Sequence, residues 1–262
     1  MISEFNSVYI LVYSECMKRF VQLFDTILEF MTEHNLPLHN KILESKPDIF
    51  YLSDSFEKLN AVNKQLQGKN ANLITCKEAV TAFIKKLDLL CFYMKRQELR
   101  HFPTLGQIKS SLKDGDFKVF LDHLENLGEE MKVRFQDVLQ MNVPAWVLQP
   151  FQTSPIEVDE TIQDSIIELQ SSESLKLKYE KGLHVLWASS ELVGKFPTLW
   201  EKVKLFFVAF PTSYLVETGF SKVSHILTKQ RNRLEIDVRG DLRLSLTNLE
   251  PDIKKLVEKV VH

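Results

Sequence analysis

A chain of 262 residues can bury a sizeable core, as one large domain or two modest ones. Its composition, 44% hydrophobic and 26% charged with only 8 Gly and 9 Pro, is globular and leans to helix. A net charge of −2 gives no overall pull toward nucleic acid, so any such contact must come from a local basic patch.

The first helical stripe runs through Phe20, Phe24, Ile27, Leu28 and Met31, and Asn35-Leu36-Pro37 stops it. A second passes through Phe50, Leu52, Phe56, Leu59, Val62 and Leu66 to Gly68, a good C-cap. A third runs from Leu73 through Val80, Phe83, Ile84, Leu87, Leu90 and Cys91 to about Leu99. Short polar breaks between long helices predict antiparallel neighbours in a bundle. After His101-Phe102-Pro103, a fourth helix is predicted over Phe117 to Asp137.

Three prolines between Pro144 and Pro155 exclude continuous helix and place the main boundary between about 140 and 160. Beyond it, Ile162 to Gly182 reads as a helix with polar interruptions. Pro197 opens a strong helix through Leu199, Trp200, Val203, Phe206, Phe207 and Phe210. Thr212 or Ser213 can cap a further one, Tyr214 to about Leu227. The basic turn Lys229-Gln-Arg-Asn-Arg233 precedes helical stretches over Val238 to Leu249 and Asp252 to Val261. No run alternates at period two for long enough to make a sheet. The expected fold is all-α: a bundle over 1–140, a Pro-containing linker over 141–160, and a C-terminal helical module over 161–262.

Cys16, Cys76 and Cys91 form no CxxC or Cys/His ligand set and read as reduced thiols in helices. The seven histidines have no ligand spacing, and neither metal nor cofactor is expected. Ser213, Ser221 and Ser224 lack a Gly-x-Ser-x-Gly setting, which argues against a hydrolase. The apolar run Val8 to Tyr13 is too short to span a membrane and lacks the flanks of a signal peptide. A nuclear or cytoplasmic location is expected.

The stretch Phe210-Pro-Thr-Ser-Tyr-Leu-Val-Glu-Thr-Gly-Phe-Ser-Lys-Val, followed by Lys229-Gln-Arg-Asn-Arg-Leu, resembles the C-terminal signature of the hAT transposase superfamily. Leu186-Trp187 and Phe196-Pro-Thr-Leu resemble its lead-in. Lys18-Arg-Phe-Val-Gln-Leu, Leu66-Gln-Gly-Lys-Asn and His101-Phe-Pro-Thr-Leu resemble the helical region of domesticated zinc-finger BED-type relatives.

The resemblance implies a piece of an RNase H-like transposase whose sheet is missing. Glu217 falls at the third acidic position of that family's site, while the first two aspartates and the BED finger have no counterpart. Ile10 stands where the family carries a tryptophan. Two-metal chemistry needs several converging carboxylates, so one glutamate cannot support it, and no strand cleavage with Mg²⁺ or Mn²⁺ is expected. Taken alone, Glu217 reads as a first-turn glutamate favoured by the helix dipole.

The resemblance also implies dimerisation through the C-terminal segment, to which Trp200, Phe206, Phe207, Phe210, Phe220, Leu227, Leu242 and Leu246 would contribute. Phe206 and Phe207 sit about 100° apart, so their helix must be covered over a wide arc. The expected function is therefore protein association without catalysis, with a second copy or a related hAT-like protein as partner and no small-molecule substrate. The alternative is weak nucleic-acid binding through Lys229, Arg231 and Arg233, where the interleaved Glu235, Asp237 and Asp241 favour internal pairing.

Overall fold

Apolar residues recurring at helical spacing, with few glycines to interrupt them, fold as helices throughout the computed structural model, which describes residues 7–68 and 71–208. There is no strand among the described residues, and the fold is all-α.

The first predicted stripe is divided between α1 (Ser7–Gln22) and α2 (Phe24–His34), with Leu23 leaving helical geometry between them. The break lets Phe24 turn inward to 2% exposure, edge-on to Phe50 at 5.4 Å. Asn35 ends α2 and starts another helix, because its side chain accepts the Leu38 N–H at 3.0 Å. That helix, α3 (Leu36–Glu44), was not foreseen and buries none of its residues.

The second and third stripes are α4 (Lys46–Leu66) and α5 (Leu73–Lys95). Pro47 sits in the first turn of α4, where a missing N–H costs nothing. Asn72 opens α5 with a capping box completed by Thr75. α5 stops short of the expected Leu99. Gln97 takes a left-handed φ of 55°, and the Glu98 and Gln97 N–H groups close a Schellman pattern onto the Tyr93 and Met94 carbonyls.

The short α6 (Pro103–Gly106) precedes α7 (Asp114–Arg134), which together with α8 (Gln136–Gln140) fills the fourth predicted helix. Phe135 separates these two and is buried to 2%. α9 (Ala145–Leu148) follows. The interrupted stretch 162–182 resolves into α10 (Gln163–Gln170) and α11 (Glu173–Glu180), parted by Ser171-Ser172. Then come α12 (Leu183–Trp187), α13 (Ser190–Lys195) and α14 (Pro197–Val208).

Buried side chains gather in two clusters. The first is drawn from α2, α4 to α8 and the turn at Leu99-Phe102, with Phe50, Phe83, Leu87 and Phe120 at its centre. The second holds Trp146, Val147, Ile166, Leu175, Trp187 and Leu199, and takes Ile74 from the start of α5. Trp187 anchors it: fully buried, its Nε1–H donates to the Val147 carbonyl at 2.9 Å and its ring meets Trp146 edge-on at 5.8 Å. The segment expected to link two parts thus supplies Trp146 and Val147 to a core. No described helix is long and apolar enough to cross a membrane.

Candidate association surfaces

α14 positions three of the residues singled out in the sequence. Leu199 and Val203 are fully buried, one turn apart on the face toward the second cluster. Trp200, Phe206 and Phe207 pack against the same cluster and are half-buried, so the chain itself covers much of the wide apolar arc. Leu205 and Val208 point outward at 63% and 68% exposure. Phe210, Phe220, Leu227, Leu242, Leu246, Glu217, Lys229, Arg231 and Arg233 lie outside the described residues.

The His101-Phe-Pro-Thr-Leu motif is held in place by a buried carboxylate. Asp54, 1% exposed on α4, accepts the Thr104 N–H at 3.2 Å and the Leu105 N–H at 3.0 Å, capping α6 from a distance of fifty residues in sequence. Phe102 is fully buried against Tyr51, with the Lys58 ammonium 4.8 Å from its ring centre. Burial pushes the Lys58 pKa down, and the Asp54 carboxylate opposes that shift. Tyr51 stacks on Phe120 at 4.3 Å, and its hydroxyl lies 2.7 Å from His123 Nδ1. Burial holds the Tyr51 hydroxyl well above the usual phenol range. These contacts order one turn of chain.

The thiols carry no evident chemistry. Cys76 is buried and its pKa is pushed up to about 11 by desolvation, which suppresses the thiolate. Burial also raises Cys91, with the neighbouring Glu125 adding to the effect. Among the described residues, no group of three or more His, Cys, Asp or Glu is placed to hold a metal ion.

Two surfaces escaped the sequence reading. The first is an open groove of about 520 Å³ along the outer face of α5, walled by the segment around Val143 and Leu148. From α5 it is lined by Ile74, Thr81 and Ala82 together with Lys77, Glu78 and Lys85. Lys77 donates to the Met141 carbonyl at 2.5 Å, which ties the wall to the helix. At about 100° per residue, Leu89 and Phe92 continue the same face of α5. They are 45% and 53% exposed. The second surface is the outer side of α2 and α3, where Phe30, Leu36, Leu38 and Leu43 are exposed beside Asp25, Glu29 and Glu33. The signal available in the sequence was the excess of apolar residues outside each predicted stripe: Leu89 and Phe92 on α5, Phe30 on α2.

Residues 1–95 match the family model described as the FAM200/GTF2IRD2 helical domain, from a family of domesticated, transposase-derived proteins. The match spans α1 to α5, which includes the α2–α3 surface and the α5 side of the groove but not its wall at Asn142, Val143 and Leu148. No solved structure matches the chain.

Proposed function

We propose that this chain is a non-catalytic, transposase-derived protein that works by protein association, forming a homodimer through its C-terminal segment. The observation that carries the reading is the match of residues 1–95 to a helical domain of domesticated transposases, a family that is generally non-catalytic. The hAT-like motif beginning at Phe210 supplies the mode of association. α14 supports it from the other side, since it leads toward that motif with Leu205 and Val208 uncovered.

Light scattering on the intact chain tests this. A dimer is expected at micromolar concentration, with an interface above about 1,000 Å². A chain ending after Val208 should be monomeric by this interface and still folded. A cut at Lys195 would be uninformative, because it strips Leu199 and Val203 from the second core. A monomeric intact chain, or a dimer indifferent to the cut after Val208, refutes the C-terminal interface.

A further inference from the structure

We infer that the α5 groove is a second self-association site, and that its occupant is the acidic outer face of α2 from another copy of this chain. The inference is independent of the C-terminal segment and uses only described residues.

The groove offers an apolar strip bracketed by cations. Lys77 and Lys85 stand eight positions apart on one helix, a rise of about 12 Å. Neither has an ion-pair partner among the described residues, although the Lys77 ammonium already donates to the Met141 carbonyl and Lys85 alone is exposed, while Glu78 is the one acid of the groove lining. Beyond Lys85 the strip continues through Leu89 and Phe92, with the exposed Asp88 on the same face as a second acid; Arg96 lies 5.5 Å from the Phe92 ring centre and pairs with Glu98. From Ile74 to Phe92 the face extends about 27 Å at the same rise, enough for a partner helix rather than a single side chain.

α2 carries the complementary pattern. Asp25 and Glu33 are also eight positions apart, again about 12 Å, with Glu29 between them on the same stripe. All three are exposed and unpaired among the described residues. Phe30, stacked on His34 at a centroid distance of 4.0 Å, stands beside the acids at 54% exposure. An acidic stripe bordered by an uncovered phenylalanine thus has the charge, the spacing and the apolar side chain that the groove accepts. Opposite signs at matched spacing set the register, while burial of Phe30, Leu89 and Phe92 supplies the attraction. Because donor and acceptor faces differ, the contact is heterologous, and it closes into a dimer only where two copies exchange it reciprocally about a two-fold axis.

Carbodiimide coupling on a mixture of isotopically light and heavy full-length chains tests the inference without any substitution. It joins a lysine amine to a carboxylate only where the two touch, and mixed-isotope peptides report contacts between copies. The expected products link Lys77 or Lys85 to Asp25, Glu29 or Glu33. Charge reversal supplies the second arm. Lys77→Glu/Lys85→Glu and Asp25→Lys/Glu33→Lys each lack one of the two reacting groups, so products linking Lys77 or Lys85 to Asp25 or Glu33 are absent from either variant alone. Mixing the two variants should restore them, since every contact in the mixed pair is again complementary, and restoration also shows both variants to be folded. An intact chain that yields mixed-isotope products only elsewhere, or none at all, overturns the proposal, as does failure of the mixed variants to recover. None of these outcomes depends on whether the C-terminal segment dimerises.

Discussion

Replacing Asp54 by alanine should destabilise the chain strongly for a change at a polar residue of α4. The carboxylate is 1% exposed and accepts two backbone N–H groups, from Thr104 at 3.2 Å and Leu105 at 3.0 Å. Truncation leaves both donors without an acceptor in a region already closed by Phe102 and Leu105, each fully buried. An unsatisfied buried donor costs about 1–3 kcal/mol, and bonds to a charged acceptor lie at the upper end. Partial relaxation of α6, a single turn, returns some of that, giving a net loss of about 2–4 kcal/mol. Lys58 adds to the loss, since its half-buried ammonium forfeits its nearby carboxylate. Asp54→Asn keeps one acceptor and should lose about half as much. Urea titration followed by circular dichroism is the assay, with an unchanged slope and a lowered midpoint expected. Thermal melting should fall by roughly 5–15 °C. If Asp54→Ala lies within about 0.5 kcal/mol of the parent, the carboxylate is not the cap and the reasoning fails.

Trp187→Phe removes the Nε1–H donor from the Val147 carbonyl and leaves a void in the second core; a loss of about 2–3 kcal/mol by urea titration is expected, and a neutral effect would show that Trp187 is not its anchor. Gln97→Gly relieves a left-handed residue at the end of α5 while giving up only an exposed bond to Asp114. It should raise stability by about 0.5–1 kcal/mol, and a lowered urea midpoint counts against the Schellman reading. Desolvation on the Tyr51 side of His123 lowers its pKa below the usual 6.5. The neutral imidazole therefore contributes stability that is present above pH 6.5 and lost as pH falls through the lower folded value, so His123→Gln should flatten the stability profile in that window. Glu191 is held down to about 2 by Lys178, Ser174 and Lys195. Its contribution is full above the ordinary glutamate range and lost as pH falls toward 2; Glu191→Gln should remove that part of the acid transition, and an unaltered acid profile would contradict it.

The sequence by itself determined that the chain is helical and where most helices run. Phe50 to Leu66 and Leu73 to Cys91 repeat at helical spacing, and Asn35, Pro103 and Pro197 mark starts and stops by chemistry confined to a few neighbours. The breaks at Leu23 and Phe135 were invisible, because apolar periodicity runs through both. Only the need to turn Phe24 and Phe135 into a core built from distant helices places them. Nothing in its sequence neighbourhood marks Asp54 as a cap, because its partners lie fifty positions away. Trp146 and Val147 sit in a proline-rich stretch that looks like a linker until Trp187 and Ile74 are brought beside them. The sequence required broad cover for the helix of Trp200, Phe206 and Phe207, and the fold showed that the chain's own second cluster provides much of it. Leu89 and Phe92 fall outside the third predicted stripe, and the fold leaves them exposed. Local spacing fixes which face of a helix is apolar, but whether another element covers that face depends on contacts far apart in the chain, and those form only when the tertiary structure does.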